Sequence, residues 1–164
     1  MTTTPIRALA AAVFFAPSVL LAAGGGGGGG SSVGSMGTRA SDPVLEAAGT
    51  AIQMENWPQA QALFKELIAR DPNDAEFHNM YAYALRKGPN PDMSLVFQHY
   101  NEALRLDPKH RGANEYLGEA YLQIGNLPKA KEQLATLDKI CFLPCKEYSD
   151  LKQHIADYEA KQKK

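Results

Sequence analysis

Beyond residue 41 the sequence is short of β-branched residues, and Leu, Ala, Glu, Lys and Gln dominate in their place. That excludes a fold built on sheets and predicts an all-helical one. An excess of charge of one sign is also lacking: 17 Lys and Arg stand against 18 Asp and Glu, a formal net charge of -1. A nucleic-acid binder needs a basic surface to displace counterions, so that class is set aside. No Ser/His/Asp arrangement carries a recognisable local motif, and none of His78, His99, His110 and His154 stands four residues from another. The carboxylates read as scattered over solvated helix faces. No catalytic residue, metal site or cofactor is therefore assigned, and the chain is read as a non-enzyme. What is present suffices for a packed core, since 45% of residues are hydrophobic and 21% charged.

Charge is missing from the start of the chain as well, where Arg7 is the only charged residue before Arg39. After it, Ala8 to Ala23 is apolar except for Ser18, with Pro17 inside the run and small residues at its end. A positive start, an apolar run of this length and a small-residue end make a secretory signal peptide over residues 1–23, with cleavage expected near Ala23. The run is short for a membrane span, which takes roughly 20 residues, so no span is expected in the mature chain. A retained anchor is the alternative. Lipidation would need a cysteine after Leu21-Ala22-Ala23, and Gly24 stands there. Gly24 to Gly30 is an unbroken run of glycines and the Gly/Ser-rich composition continues, so residues 24–41 read as a flexible tether. No Gly-Lys-Ser/Thr ending turns the glycines into a phosphate loop.

The remaining residues repeat. Asn126-Leu127-Pro128-Lys129-Ala130 echoes Asn56-Trp57-Pro58-Gln59-Ala60 at a distance of 70 residues. Ala60 to Val96 and Pro72 to Pro108 are 36 residues apart, and Val96 to Ala130 is 34. The period is 34, with two extra residues in the turn Lys87-Gly88-Pro89-Asn90-Pro91, an insertion that a loop tolerates cheaply. Within the last unit, Leu117-Gly118-Glu119-Ala120-Tyr121 is followed by Ala130 and Leu134. Leu-Gly-x-x-Tyr followed by Ala and a large apolar residue resembles the core of the tetratricopeptide repeat (TPR), a helix-turn-helix unit. Asp42 and Asn56 are expected to cap helices, Pro43 suits a first turn, and Pro72 and Pro108 stop helices. Val44, Ala47, Ala48 and Ala51 occupy the places where the repeat pattern has Trp, Leu, Gly and Tyr, so small residues dominate there, and Trp57 sits in a turn. Each pair cannot bury its apolar face alone, so stacked pairs share a core.

The resemblance implies a right-handed superhelical stack of three helix pairs, over about 42–73, 74–109 and 110–140, closed by a C-terminal capping helix within 141–164. In that last segment Tyr148, Leu151, Ile155 and Tyr158 share one face, and Lys152, Gln153, Asp157 and Lys161 take the polar one. Between stack and cap lie Cys141 and Cys145, the only cysteines. In an exported chain they read as a disulfide that fixes the exit angle of the last helix. Their C-x3-C spacing is neither the redox C-x-x-C nor the haem C-x-x-C-H, although a thiol-redox or metal-handling pair remains an alternative.

The resemblance also implies a concave groove lined by the first helix of each pair. Its groove-facing positions hold Leu45, Gly49, Ile52 and Gln53, then Glu76, Asn79, Tyr83, Arg86 and Lys87, then Glu115, Glu119, Leu122 and Gln123. Tyr, Asn and charged residues suit a peptide backbone with side-chain pockets. Some family members grip a terminal carboxylate with Lys and Asn, but the corresponding places here hold Leu45, Gly49 and Met80, so that clamp is missing. The expectation is an adaptor that binds a protein or peptide in the bacterial periplasm or cell envelope, with a self-associating structural module as the other alternative.

Overall fold

A computed structural model describes residues 42–163. The proposed leader over 1–23 and the tether over 24–41 lie outside the described residues. Seven helices follow one another, with no strand among the described residues: α1 Pro43–Gln53, α2 Trp57–Arg70, α3 Ala75–Lys87, α4 Met93–Leu106, α5 Arg111–Gln123, α6 Leu127–Ile140 and α7 Lys146–Gln162.

Local chemistry sets the boundaries. Asp42 Oδ1 accepts from Val44 N at 2.8 Å, and Asp74 Oδ1 accepts from Glu76 N at 2.8 Å, each satisfying an otherwise orphaned helix donor. The two echoed turns share a geometry. Asn56 (φ -81°, ψ 72°) accepts from Gln59 N, Asn126 (φ -91°, ψ 69°) accepts from Lys129 N, and in both helices Pro follows in the first turn. The residue ahead of each cap has positive φ, 54° at Glu55 and 79° at Gly125, so Glu55 carries a strain that glycine escapes. Trp57, expected in the turn, is instead the first residue of α2. The longer turn of the middle pair also needs a left-handed residue, Asn90 at φ 51°, and hands the cap to Asp92. Pro72 and Pro108 lie just beyond the ends of α2 and α4.

Three overlapping seams bury the apolar faces. Ala48, Ala60, Phe64, Leu67, Phe77 and Tyr81 join α1, α2 and α3. Ala82, Val96, Tyr100, Leu117 and Ala120 join α3, α4 and α5. Ala130, Leu137, Leu151 and Ile155 join α5, α6 and α7, with Tyr121 and Leu134 half-buried against them. α3 and α5 thus each serve two seams, as stacked pairs require when none can bury its own face.

One correction falls in the middle pair, where His78 and His99 are not lone histidines. Their rings stack with Nδ1 atoms 2.9 Å apart, and His78 Nε2 lies 3.0 Å from the Pro72 carbonyl. A carbonyl only accepts, so His78 Nε2–H donates to it and His78 Nδ1 accepts from His99 Nδ1–H. Burial, then the nearby His78, hold the His99 pKa below the usual histidine value.

Between α6 and α7 the Sγ atoms of Cys141 and Cys145 lie at bonding distance, 2.07 Å, and the loop they close leaves Phe142 and Leu143 in solvent. The α5–α7 approach is set by a missing side chain. A Cβ added at Gly118 would stand 2.6 Å from Leu151 Cδ2, and Leu151 is fully buried.

Leu151→Ala is expected to cost about 2–5 kcal/mol by leaving a cavity, and Gly118→Ala about 1–3 kcal/mol by overpacking. Combined, they should cost less than the sum, because the new methyl enters the vacated space. Urea titrations of the two single variants and the double variant check this, and strict additivity would contradict the contact.

Candidate binding groove

The groove-facing residues expected from the sequence fall into two groups. Gln53, Glu76, Lys87 and Gln123 are exposed, while Leu45 and Ile52 are half-buried against the first seam and Leu122 against the third. Gly49 opens onto free space, with nothing within 4 Å of an added Cβ. Tyr83 is half-buried, edge-on to Trp57 at 6.0 Å between ring centroids and tilted against Tyr116 at 4.8 Å. Glu76 pairs with His110 Nε2 at 2.8 Å, and that hydrogen bond is the main reason the His110 pKa is raised.

Asn79, Arg86 and Glu115 are different, being 2%, 9% and 7% exposed. Asn79 and Arg86 are packing or electrostatic elements of the groove wall, not free contacts upon it. Asn79 is closed in where α3 meets the start of α5. An added Gly112 Cβ would stand 3.4 Å from Asn79 Nδ2, in ordinary van der Waals contact, so the start of α5 lies directly over Asn79. Asn79 Nδ2 donates to Glu76 Oε2 at 3.3 Å, and its Oδ1 is buried without a hydrogen-bond partner.

Arg86 ties four helices together. Its Nε donates to the Tyr100 hydroxyl of α4 at 3.3 Å, and its Nη2 stands 2.8 Å from Glu119 Oε2 of α5. Glu119 Oε1 in turn meets His154 Nδ1 of α7 at 3.0 Å. The guanidinium also lies over the rings of Tyr83 and Tyr116, 5.7 and 5.9 Å from their centroids. Burial alone would lower the Arg86 pKa, but Tyr100 and Glu119 outweigh it and the net shift is upward. Burial likewise raises the Tyr100 hydroxyl.

Beside this network lies a cleft of about 320 Å³, lined by Arg86, Glu119, Leu122 and Gln123 and, across from them, His154, Asp157, Tyr158 and Lys161 of α7. Asp157 and Lys161, expected on the solvated side of a cap, therefore face the groove. The last helix extends the concave wall as well as closing the core. Charged residues at Lys146, Asp150, His154, Asp157 and Lys161, three to four apart, are the signal that marks this second face.

A tetratricopeptide-repeat family model matches residues 45–93, and a second one of the same description matches residues 96–155, together more than half of the chain. The chain belongs to the tetratricopeptide repeats. Among solved structures it is similar to the Yersinia enterocolitica type III secretion chaperone SycD in complex with a peptide of the translocator YopD. That match has a TM-score of 0.59 and 18% identity, and covers 70% of this chain and 86% of that one. It is similar also to the TPR2B domain of yeast Sti1 in its pHsp70 complex, with a TM-score of 0.61, 18% identity, and 72% and 94% of the two chains covered. A third is the first TPR domain of human RPAP3, with a TM-score of 0.63, 15% identity, and 73% and 92% covered. These likenesses are of fold, the superhelical TPR stack. Among curated proteins no sequence relative is found. The second family match runs on to residue 155, well inside α7, in keeping with a last helix that behaves as the first helix of a further repeat.

Within the TPR groove Glu115 stands out. Its side chain makes no hydrogen bond or ion pair among the described residues. Burial, then Glu119 and Asp150, push its pKa from the ordinary 4.5 up to about 7, with Lys146 pulling the other way. Burial, then Glu115, lift the neighbouring Tyr116 to about 12. These values correct the expectation that the carboxylates are all solvated.

A raised carboxyl pKa means the folded chain holds a proton that the unfolded chain releases. Folding is then penalised progressively as pH rises from 4.5 to about 7, and fully above that. Glu115→Gln should leave stability unchanged near pH 4 and raise it by about 2 kcal/mol at pH 8. Thermal unfolding of both proteins across that range tests this, and equal melting temperatures at pH 8 would refute it.

Proposed function

We propose that the chain is a non-enzymatic TPR adaptor that captures a segment of a partner protein along the concave face formed by α1, α3, α5 and α7. The observation that carries this reading is the half-buried aromatic row Trp57, Tyr83 and Tyr116 on that face, with polar groups on both sides. Half-buried aromatics flanked by charge are the residue types that anchor peptide segments, because they contribute large contact area at small entropic cost. The fold likeness to TPR domains solved with a YopD peptide and with pHsp70 supports the choice of a peptide as ligand. The buried linkage through Arg86 favours a preformed groove, which lowers the ordering cost of binding.

We place this activity outside the cytoplasm, in a bacterial periplasm or envelope. Support comes from the leader pattern over residues 1–23 and from the pairing of the two cysteines at the stack's end. The mass of the protein recovered from its own cells tests the location. A chain beginning near Gly24 agrees with export, and a full-length chain in the cytoplasm contradicts it.

Tyr83→Ala should reduce partner capture by about tenfold or more while shifting the melting temperature by only a few degrees. Affinity capture with the two proteins side by side reads the effect. A partner retained equally by both would count against the groove.

A further inference from the structure

We infer that the segment taken up in the groove carries a lysine or arginine, and that its cationic end lodges against Glu115 where α5 meets the start of α7. This rests on the groove reading above and names the chemistry of what enters. Three features of the site point the same way.

The first is the state of Glu115 itself. The residue is more than nine-tenths buried, and its carboxyl oxygens, which still reach solvent, meet no protein donor among the described residues. A largely buried carboxyl without a protein donor is costly to ionise until a cation or a proton arrives. In the isolated chain a proton serves, and a partner's ammonium or guanidinium would serve better, bringing charge and hydrogen bonds together.

The second is the surrounding charge. On its own helix Glu115 has Glu119 and Tyr116, from α3 it feels Tyr83, and from α7 it faces Lys146, Glu147 and Asp150. Lys146 is the one cation in that set, and it is paired with Asp150. Of the neighbouring groups, Arg86 is committed to Glu119 and His110 to Glu76. The local balance is negative, so it attracts a basic residue and repels an acidic one.

The third is shape. No group of three or more His, Cys, Asp or Glu that could hold a metal ion forms among the described residues. The rings of Tyr83 and Tyr116 lie 4.8 Å apart instead, and both hydroxyls feel the charge of Glu115. Such rings pack against the aliphatic stem of Lys or the flat guanidinium of Arg, a service a bare ion does not need.

The test uses the mature chain, residues 24–164, against a displayed library of random twelve-residue peptides, followed by titration calorimetry of the most enriched histidine-free sequences as blocked synthetic peptides. Binders should be enriched in Lys or Arg at one position and should lose affinity about tenfold or more with Glu115→Gln. Replacing that Lys by norleucine should have the same effect. Wild-type affinity should rise about tenfold from pH 6 to pH 8, as a carboxyl with pKa near 7 ionises, while Glu115→Gln stays flat. Peptides that need Tyr83 but show no basic preference, no pH response and no effect of Glu115→Gln would overturn this inference and leave the groove intact. If no enriched peptide loses affinity with Tyr83→Ala, both readings fall.

Discussion

The stack depends on one buried charge. Arg86 of α3 reaches across to α4 and α5, where its guanidinium meets both the Tyr100 hydroxyl and the Glu119 carboxylate. Through Glu119 the link passes to His154. A buried arginine is expensive to desolvate, and such pairs add little net stability against a well-packed apolar substitute. What the pair supplies is register: losing either partner strands a charge in the interior, so α3 and α5 cannot slide past one another without breaking it. Apolar seams made largely of Ala, Val and Leu are more forgiving of a shift, since hydrophobic contact is non-directional. The concave face owes its definite shape to this polar tie as much as to its core.

The last helix answers two demands at once. Its apolar side, Leu151 and Ile155, closes the third seam, and Leu151 settles into the room left by Gly118. At the corresponding places in the earlier pairs the chain has Ala82 and Ala48, each with a Cβ, so the closest approach is reserved for the α5–α7 contact. Its polar side turns to the groove and supplies His154, Asp157, Tyr158 and Lys161 to the cleft. The Cys141–Cys145 loop lies between the end of α6 and the start of α7.

Much of the fold could be read from residue spacing. The caps at Asn56 and Asn126, the buried Ala60 and Ala130, and the stops before Pro72 and Pro108 are local events, decided by φ restriction and by one side-chain hydrogen bond each. Pairwise events between distant residues were not legible. Asn79 reads as a groove contact by position, but it is buried against the start of α5, more than thirty residues away. His78 and His99 look isolated along the chain, and only the α3–α4 crossing stacks their rings. The second face of α7 was present as a period of charged residues, yet a charged stripe reads as solvent-facing until something is seen opposite it.

Within one groove the chain handles two buried charges in opposite ways. Arg86 cannot shed its proton at any ordinary pH, so its neutralisation must be built in, and Glu119 with Tyr100 does so permanently. Glu115 can take up a proton, so no fixed partner is required, and none is present among the described residues. The Arg86–Glu119 pair already has its charges matched. A carboxyl held near pH 7 by burial and by Glu119 gains from any cation that reaches it, and it gains more when that cation brings its own hydrogen-bond donors. Residues 86 and 115 thus differ in what they leave unsatisfied: the first locks the helices together, and the second keeps unmet electrostatic demand on the concave face.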